Sequence, residues 1–126
     1  MANEPYTYSP LLGREIRLLE IEPSLNDDAP LRGSLHTVHL DDQRVVFSAL
    51  SYLWGDPDFS YNVTIDSCDI SITRNAFHAL RDLRTSLQSK HIQFKYIWID
   101  GLCIDQSNLE ERGKQVRLMR DIYSKV

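Results

Sequence analysis

Acidic, thiol and indole side chains gather where two apolar runs of this chain end, and they set the chemistry open to it. Tyr96-Ile97-Trp98-Ile99 runs into Asp100-Gly101-Leu102-Cys103-Ile104-Asp105-Gln106, and an earlier apolar run stops at Trp54-Gly55-Asp56-Pro57. A carboxylate at the carboxyl end of a parallel strand, next to a helix N-terminus, can hold a ribose, a metal or a protonated group. The same carboxylates also serve as turn and helix caps, so for Asp100 and Asp105 both readings stand. Trp54, at a strand end, can stack on a nucleotide ring or pack, whereas Trp98 lies within a strand and reads as core. Cys103 makes a poor nucleophile, since a reactive thiol needs a base or cation beside it and no histidine is near in sequence; it reads as a small buried apolar residue. His36, His39, His78 and His91 lack metal-ligand spacing, so no metal site is expected. Gly55 and Gly101 stand alone and form no phosphate-cradling loop. Glu110 and Glu111 fall in the first turn of a helix, where the dipole favours carboxylates.

The elements that must position these groups follow from periodicity. Residues 1–14 carry two prolines and no pattern, and read as a flexible arm. Glu15 to Ile21 fits a strand or a short helix. Leu31 to Leu40 alternates with period two, as a half-buried strand at a sheet edge does. Val45 to Leu53 is almost continuously apolar, the mark of a strand covered on both faces. Tyr61 to Ile72 reads as a hairpin turning at Asp66-Ser67. Thr73 is placed to cap a helix from Arg74 to about Gln88, with Ala76, Leu80, Leu83 and Leu87 on one stripe. Phe94 to Ile99 is a second short buried strand. A last helix runs from about Asn108 to Ser124, with Val116, Met119 and Tyr123 sharing a face and Glu110, Lys114 and Arg117 toward water. Buried strands alternating with amphipathic helices imply an α/β fold with a parallel sheet and right-handed crossovers.

Composition excludes several classes. A chain of 126 residues is one domain by length, and 42% hydrophobic with 25% charged residues is ordinary for a globular protein. A net charge of −4 with dispersed Lys and Arg lacks the basic stripe of a nucleic-acid binder. No apolar run approaches a membrane span, and the polar start is not a secretory signal. Two cysteines make no disulfide scaffold, so a cytoplasmic location is expected.

Three blocks carry a resemblance: Ala49-Leu50-Ser51-Tyr52-Leu53-Trp54-Gly55, Trp98-Ile99-Asp100-Gly101-Leu102-Cys103-Ile104-Asp105-Gln106, and Glu111-Arg112-Gly113-Lys114-Gln115-Val116-Arg117-Leu118-Met119-Arg120-Asp121-Ile122-Tyr123. In this order they resemble the signature of the fungal heterokaryon incompatibility (HET) domain, with Ile16-Arg17-Leu18-Leu19 and Ile72-Thr73-Arg74-Asn75 adding to the likeness. Two departures stand out. Asp105 replaces the family's usual Asn, exchanging a donor and acceptor for an acceptor alone. The family pattern also continues past this helix into a further strand, so residues 15–126 resemble a HET domain lacking its C-terminal part. An uncovered sheet edge would follow, and with it a tendency to associate.

The resemblance implies a TIR- and flavodoxin-like three-layer core with an N-terminal β extension and hairpin. It implies a signalling role in non-self recognition and programmed cell death, exercised by self-association or by contact with other HET or immune-receptor-type proteins rather than with nucleic acid or membrane. Through the distant likeness to TIR domains, an alternative is hydrolysis of NAD, with Glu111 as the catalytic carboxylate, NAD as the substrate and no cofactor assigned. Trp54, Gly55, Asp100, Asp105, Gln106, Arg112 and Gln115 are then the ligand-binding candidates. A third reading is an inactive remnant or decoy.

Overall fold

The computed structural model describes residues 4–24, 26, 28–50, 55, 58–87 and 96–125. The apolar runs form strands β1 (Glu15–Ile21), β2 (Arg32–His39), β3 (Phe47–Ala49), β4 (Tyr61–Ile65), β5 (Cys68–Ile72) and β6 (Tyr96–Trp98). The amphipathic stretches form helices α1 (Arg74–Leu87) and α3 (Leu109–Lys125), with a single helical turn, α2 (Asp100–Cys103), between β6 and α3. All six strands join one sheet in the order β3-β6-β1-β2-β4-β5.

The fold is α/β, but the sheet is mixed where the sequence reading expects a parallel one. Strand β1 is antiparallel to both neighbours: Glu15 faces His39 and Ile21 faces Gly33 on β2, while Leu19 faces Ile97 on β6. The parallel pairs are β2 with β4 and β3 with β6. The reason lies in the connections. A parallel neighbour needs a crossover of a dozen or more residues, usually helical. Residues 22–31 are too few for such a crossover, so β2 returns antiparallel to β1. The path from β3 to β6 passes through the hairpin and α1, long enough to bring the two strands side by side in parallel.

Strand β1 is therefore a central strand and not an N-terminal extension of the core. Alternation sends Arg17, Leu19 and Ile21 to one face and Ile16 and Leu18 to the other, and all five are buried. Strand β2 lies inside the sheet, not at its edge; its half-buried pattern reflects a ladder to β4 formed at Arg32 and Gly33. Strand β3, expected to be covered on both faces, has β6 as its neighbour and ends the strand order. Phe47 is buried there, but Val46 is exposed. The remainder of that run, residues 51–53, lies outside the described residues.

The hairpin forms as its sequence indicates. Asp66 and Ser67 adopt φ of 50° and 67°, the paired left-handed conformation of a tight two-residue turn, and Val63 faces Ile70. Thr73 caps α1, its hydroxyl accepting from the Ala76 amide at 3.3 Å. Ala76 and Leu80 are buried on the expected stripe, with Leu83 and Leu87 half-buried. The same side of α1 buries Arg84, whose guanidinium donates to the carbonyls of Ala29 and Pro30 at 3.0 and 3.1 Å, tying down the turn before β2. The arm bonds to β5 at Asp69, whose carbonyl accepts from the Tyr6 amide at 2.9 Å and whose amide donates to Glu4 O at 2.8 Å.

Helix α3 is rotated from its expected setting. The buried residues are Glu111, Gln115 and Ile122, whereas Val116 and Tyr123 are 57% and 40% exposed. Val116, Met119 and Tyr123 do share a face, but it lies at the margin of the core: Met119 is half-buried against it, while Val116 and Tyr123 stand largely outside.

Gly33 sits where β2 is held between β1 and β4, and a Cβ there would collide with the Glu20 carbonyl and lie 3.1 Å from Leu19 Cδ1. Gly33→Ala is expected to lower stability by about 1–3 kcal/mol, as other overpacking changes do. Urea unfolding checks this; an unchanged midpoint would mean that β2 does not sit this close to β1.

Candidate functional site

An arginine in the middle of an apolar strand must find an anionic partner, because a buried lone charge is too costly. Arg17 is such a residue at 2% exposure, and its partner is Glu111, at 7%. The guanidinium grips the carboxylate with two bonds, Nη1 to Oε2 at 2.8 Å and Nη2 to Oε1 at 2.6 Å. Arg17 also donates to Cys103 O at 3.1 Å and Ser9 O at 2.6 Å. Glu111 Oε2 accepts a further bond from the Asp105 amide at 2.5 Å. One ion pair thus joins the arm, β1, the turn after α2 and the start of α3.

Local sequence prepares the carboxylate. Asn108 caps α3, its Oδ1 accepting from the Glu111 amide at 3.0 Å, and the first-turn position adds the favourable helix dipole. One helical turn further on, the Gln115 amide donates from Nε2 to Glu15 O at 3.0 Å. Farther along, Arg14 pairs with Asp41 at 2.7 Å and with Asp121 at 3.2 Å, and Lys125 Nζ donates to the carbonyls of Leu40 and Asp42. Helix α3 therefore runs antiparallel to β1, fastened along its length by polar contacts.

Tyr8 completes the site from the arm. Its hydroxyl donates to Leu102 O at 2.7 Å, and the Arg17 guanidinium carbon lies 4.6 Å from its ring centre. Burial pushes the hydroxyl well above its usual range, the neighbouring Cys103 adds to this, and Arg17 opposes it. Tyr8 and Arg17 were not among the sequence candidates. The available signal was Arg17 itself, a lone cation between Ile16 and Leu18.

The remaining candidates divide among three places. Asp100, Gln106 and Arg112 border a hollow of about 160 Å³ with Ile104, Val116 and Met119. Gln106 Nε2 donates to Asp100 O at 2.8 Å, which closes the turn after α2. Asp105 turns the other way: its Oδ1 accepts from the Ser107 amide at 3.1 Å and hydroxyl at 2.7 Å. That is the turn-capping role, and an Asn oxygen would serve it equally. Asp105 and Gln106 also border a second cleft, of about 480 Å³. Gln115 is buried against β1. Gly55, at φ 65°, faces Asn75, and a Cβ on it would come within 2.5 Å of Asn75 Nδ2. Trp54 lies outside the described residues, so its place relative to Asp100 and Glu111 is not described.

Several residues resolve as packing. Trp98 is fully buried, edge-on to Tyr123 at 5.7 Å. Cys103 is fully buried, and burial pushes its thiol up to about 12, far from a reactive thiolate. His36 meets Glu20 at 3.0 Å and His39 meets Asp41 at 3.7 Å. Among the described residues, no three His, Cys, Asp or Glu side chains gather as a metal site.

Oε1 of Glu111 takes one donor and Oε2 takes two. The hollow beside Asp100 is smaller than the roughly 300–1,000 Å³ of most small-molecule sites.

Comparison with known proteins places this geometry. Residues 47–126 match the family model described as Heterokaryon incompatibility protein (HET). The chain is 32% identical over 117 residues to the Heterokaryon incompatibility protein 6, OR allele, of Neurospora crassa, an alignment covering 86% of this chain. It spans 17% of the length of that curated relative. No solved structure matches the chain.

Two outcomes follow from the buried ion pair and thiol. Glu111→Gln strands the Arg17 charge and is expected to cost about 3–5 kcal/mol, whereas replacing Arg17 and Glu111 together by Met and Leu is expected to restore most of that loss. Denaturant titration of the three proteins checks this; equal losses in single and double variants would dismiss the pair as an anchor. Native chain treated with iodoacetamide at pH 8 is expected to react at half-buried Cys68 and not at Cys103, as read by mass spectrometry. Equal labelling of both thiols would contradict the burial of Cys103.

Proposed function

The chain belongs to the heterokaryon incompatibility (HET) family, and from that premise we propose that it acts in heterokaryon incompatibility as a contact module, its output arising from association rather than from chemistry at Glu111. The observation that carries this reading is the engagement of both Glu111 oxygens by Arg17 and the Asp105 amide. A carboxylate so occupied organises the domain, whereas polarising a ribose would require breaking a buried ion pair.

The outward face of α3 supports the same reading. Val116 is a large apolar group left in solvent, Tyr123 is 40% exposed with its ring edge-on to Trp98, half-buried Met119 lies between them, and Leu109 is exposed at the start of the helix. Polar anchors turned inward, at Glu111 and Gln115, are what leave this apolar face outward. In the family reading, such a face meets other HET proteins or a second copy, and association precedes programmed cell death. Hydrolysis of NAD by Glu111, and an inactive decoy that pairs with complete HET proteins, are the alternatives the same experiment separates.

Purified chain is expected to associate with rising concentration in analytical ultracentrifugation, and Val116→Asp is expected to weaken this by about tenfold, a typical cost for placing a charge in an apolar contact. Incubation with NAD is expected to release no nicotinamide at any concentration. Nicotinamide release by the wild-type chain would establish the enzymatic reading instead. A monomer at all concentrations, without turnover, would leave the decoy.

A further inference from the structure

The arm, strand β5 and the turn between α2 and α3 enclose the cleft of about 480 Å³, a volume within the range of ligand sites. Tyr6, Tyr8 and Phe59 give it aromatic walls, and Asp69 and Asp105 give it two carboxylates. Among the described residues, no Lys, Arg or His lines it. Tyr6 and Tyr8 stand edge to face, 5.1 Å apart at 88°. Burial is the chief cause that raises the pKa of both the Tyr6 and Tyr8 hydroxyls; Asp66 adds at Tyr6, Cys103 and to a lesser extent Asp105 add at Tyr8, and Arg17 opposes at each. That Arg17 charge is itself neutralised by its bond to Glu111.

We propose that this cleft binds an arginine side chain presented by an extended segment of a partner protein, with its guanidinium against the aromatic walls and paired with Asp69 and Asp105. The chemistry of the walls selects the ligand. Aromatic faces attract cations, and guanidinium, planar and weakly hydrated, stacks better than ammonium. Carboxylates match its fork of donors. The protein already uses the same pairing within itself, where Arg17 lies 4.6 Å from the Tyr8 ring centre and grips a carboxylate. A metal fits less well, because three walls are hydrocarbon rings and no three metal-ligating side chains gather among the described residues. The cleft is separate from the outer face of α3 and uses other residues, so its test stands apart from the association experiment.

The test is an NMR titration of the full chain with three blocked tripeptides of sequence Gly-Xaa-Gly, carrying arginine, lysine or citrulline at the centre. The arginine peptide is expected to bind in the millimolar range, shifting signals of Tyr6, Tyr8, Phe59, Asp69 and Asp105. The citrulline peptide, of equal shape but no charge, is expected to cause no shifts there, and the lysine peptide is expected to bind several-fold more weakly. Asp69→Asn with Asp105→Asn is expected to weaken arginine binding by about tenfold. An Asn oxygen can still accept from Thr64 at position 69 and from Ser107 at position 105, and thermal melting of the double variant checks that the fold is kept. Should the double variant unfold, the citrulline comparison decides alone. Citrulline or lysine binding as tightly as arginine would overturn the proposal, as would the absence of shifts at these residues up to about 10 mM arginine peptide, a tenfold excess over a millimolar constant.

Discussion

A buried charge must be answered, and in this protein that requirement is concentrated on Arg17. Its guanidinium lies in the middle of a central strand, and meeting its hydrogen-bonding needs draws in Glu111 from α3, the Cys103 carbonyl and the Ser9 carbonyl. Each of those groups belongs to a different part of the chain. Burying an ion pair yields little net stability compared with apolar packing, since desolvation offsets most of the attraction. Its value here is geometric: with two bonds to one carboxylate, only one rotation of α3 and one path of the arm satisfy the pair.

That constraint explains why α3 looks misassembled to a reader of hydrophobic periodicity. Val116, Met119 and Tyr123 form the more apolar stripe, yet Glu111, Gln115 and Ile122 face the sheet. Gln115 bonds the Glu15 carbonyl at one end of β1, and Glu111 bonds Arg17 further along. Turning the helix to bury the apolar stripe would leave Arg17 without its partner, a loss larger than the burial of one valine restores. The cost is an apolar face in water.

The sheet shows a similar division between local and distant determinants. Antiparallel pairing of β1 with β2 follows from the short segment between them, whereas the parallel pairing of β3 with β6 depends on the long path through the hairpin and α1. The arm contributes no regular element, but it borders both the ion pair and the aromatic cleft. Tyr8 reaches the Leu102 carbonyl while Tyr6 bonds to β5. The two features are thereby parts of one assembly around the turn after α2.

By itself the sequence determined what depends on neighbours along the chain. The hairpin turning at Asp66-Ser67, the Thr73 cap, the extent of α1 and α3, the inertness of Cys103 and the parallel pairing of the two apolar runs were all legible, as were the motifs that mark the family. Each rests on period, turn chemistry or burial of an apolar residue, which short stretches encode. Tertiary structure alone decided that β1 is central, that α3 turns its polar residues inward, and that Asp105 and Asp100 open onto different cavities. Those outcomes depend on where one arginine finds its counter-charge, across a separation in sequence from position 17 to position 111. Local periodicity carries no information about a partner that distant.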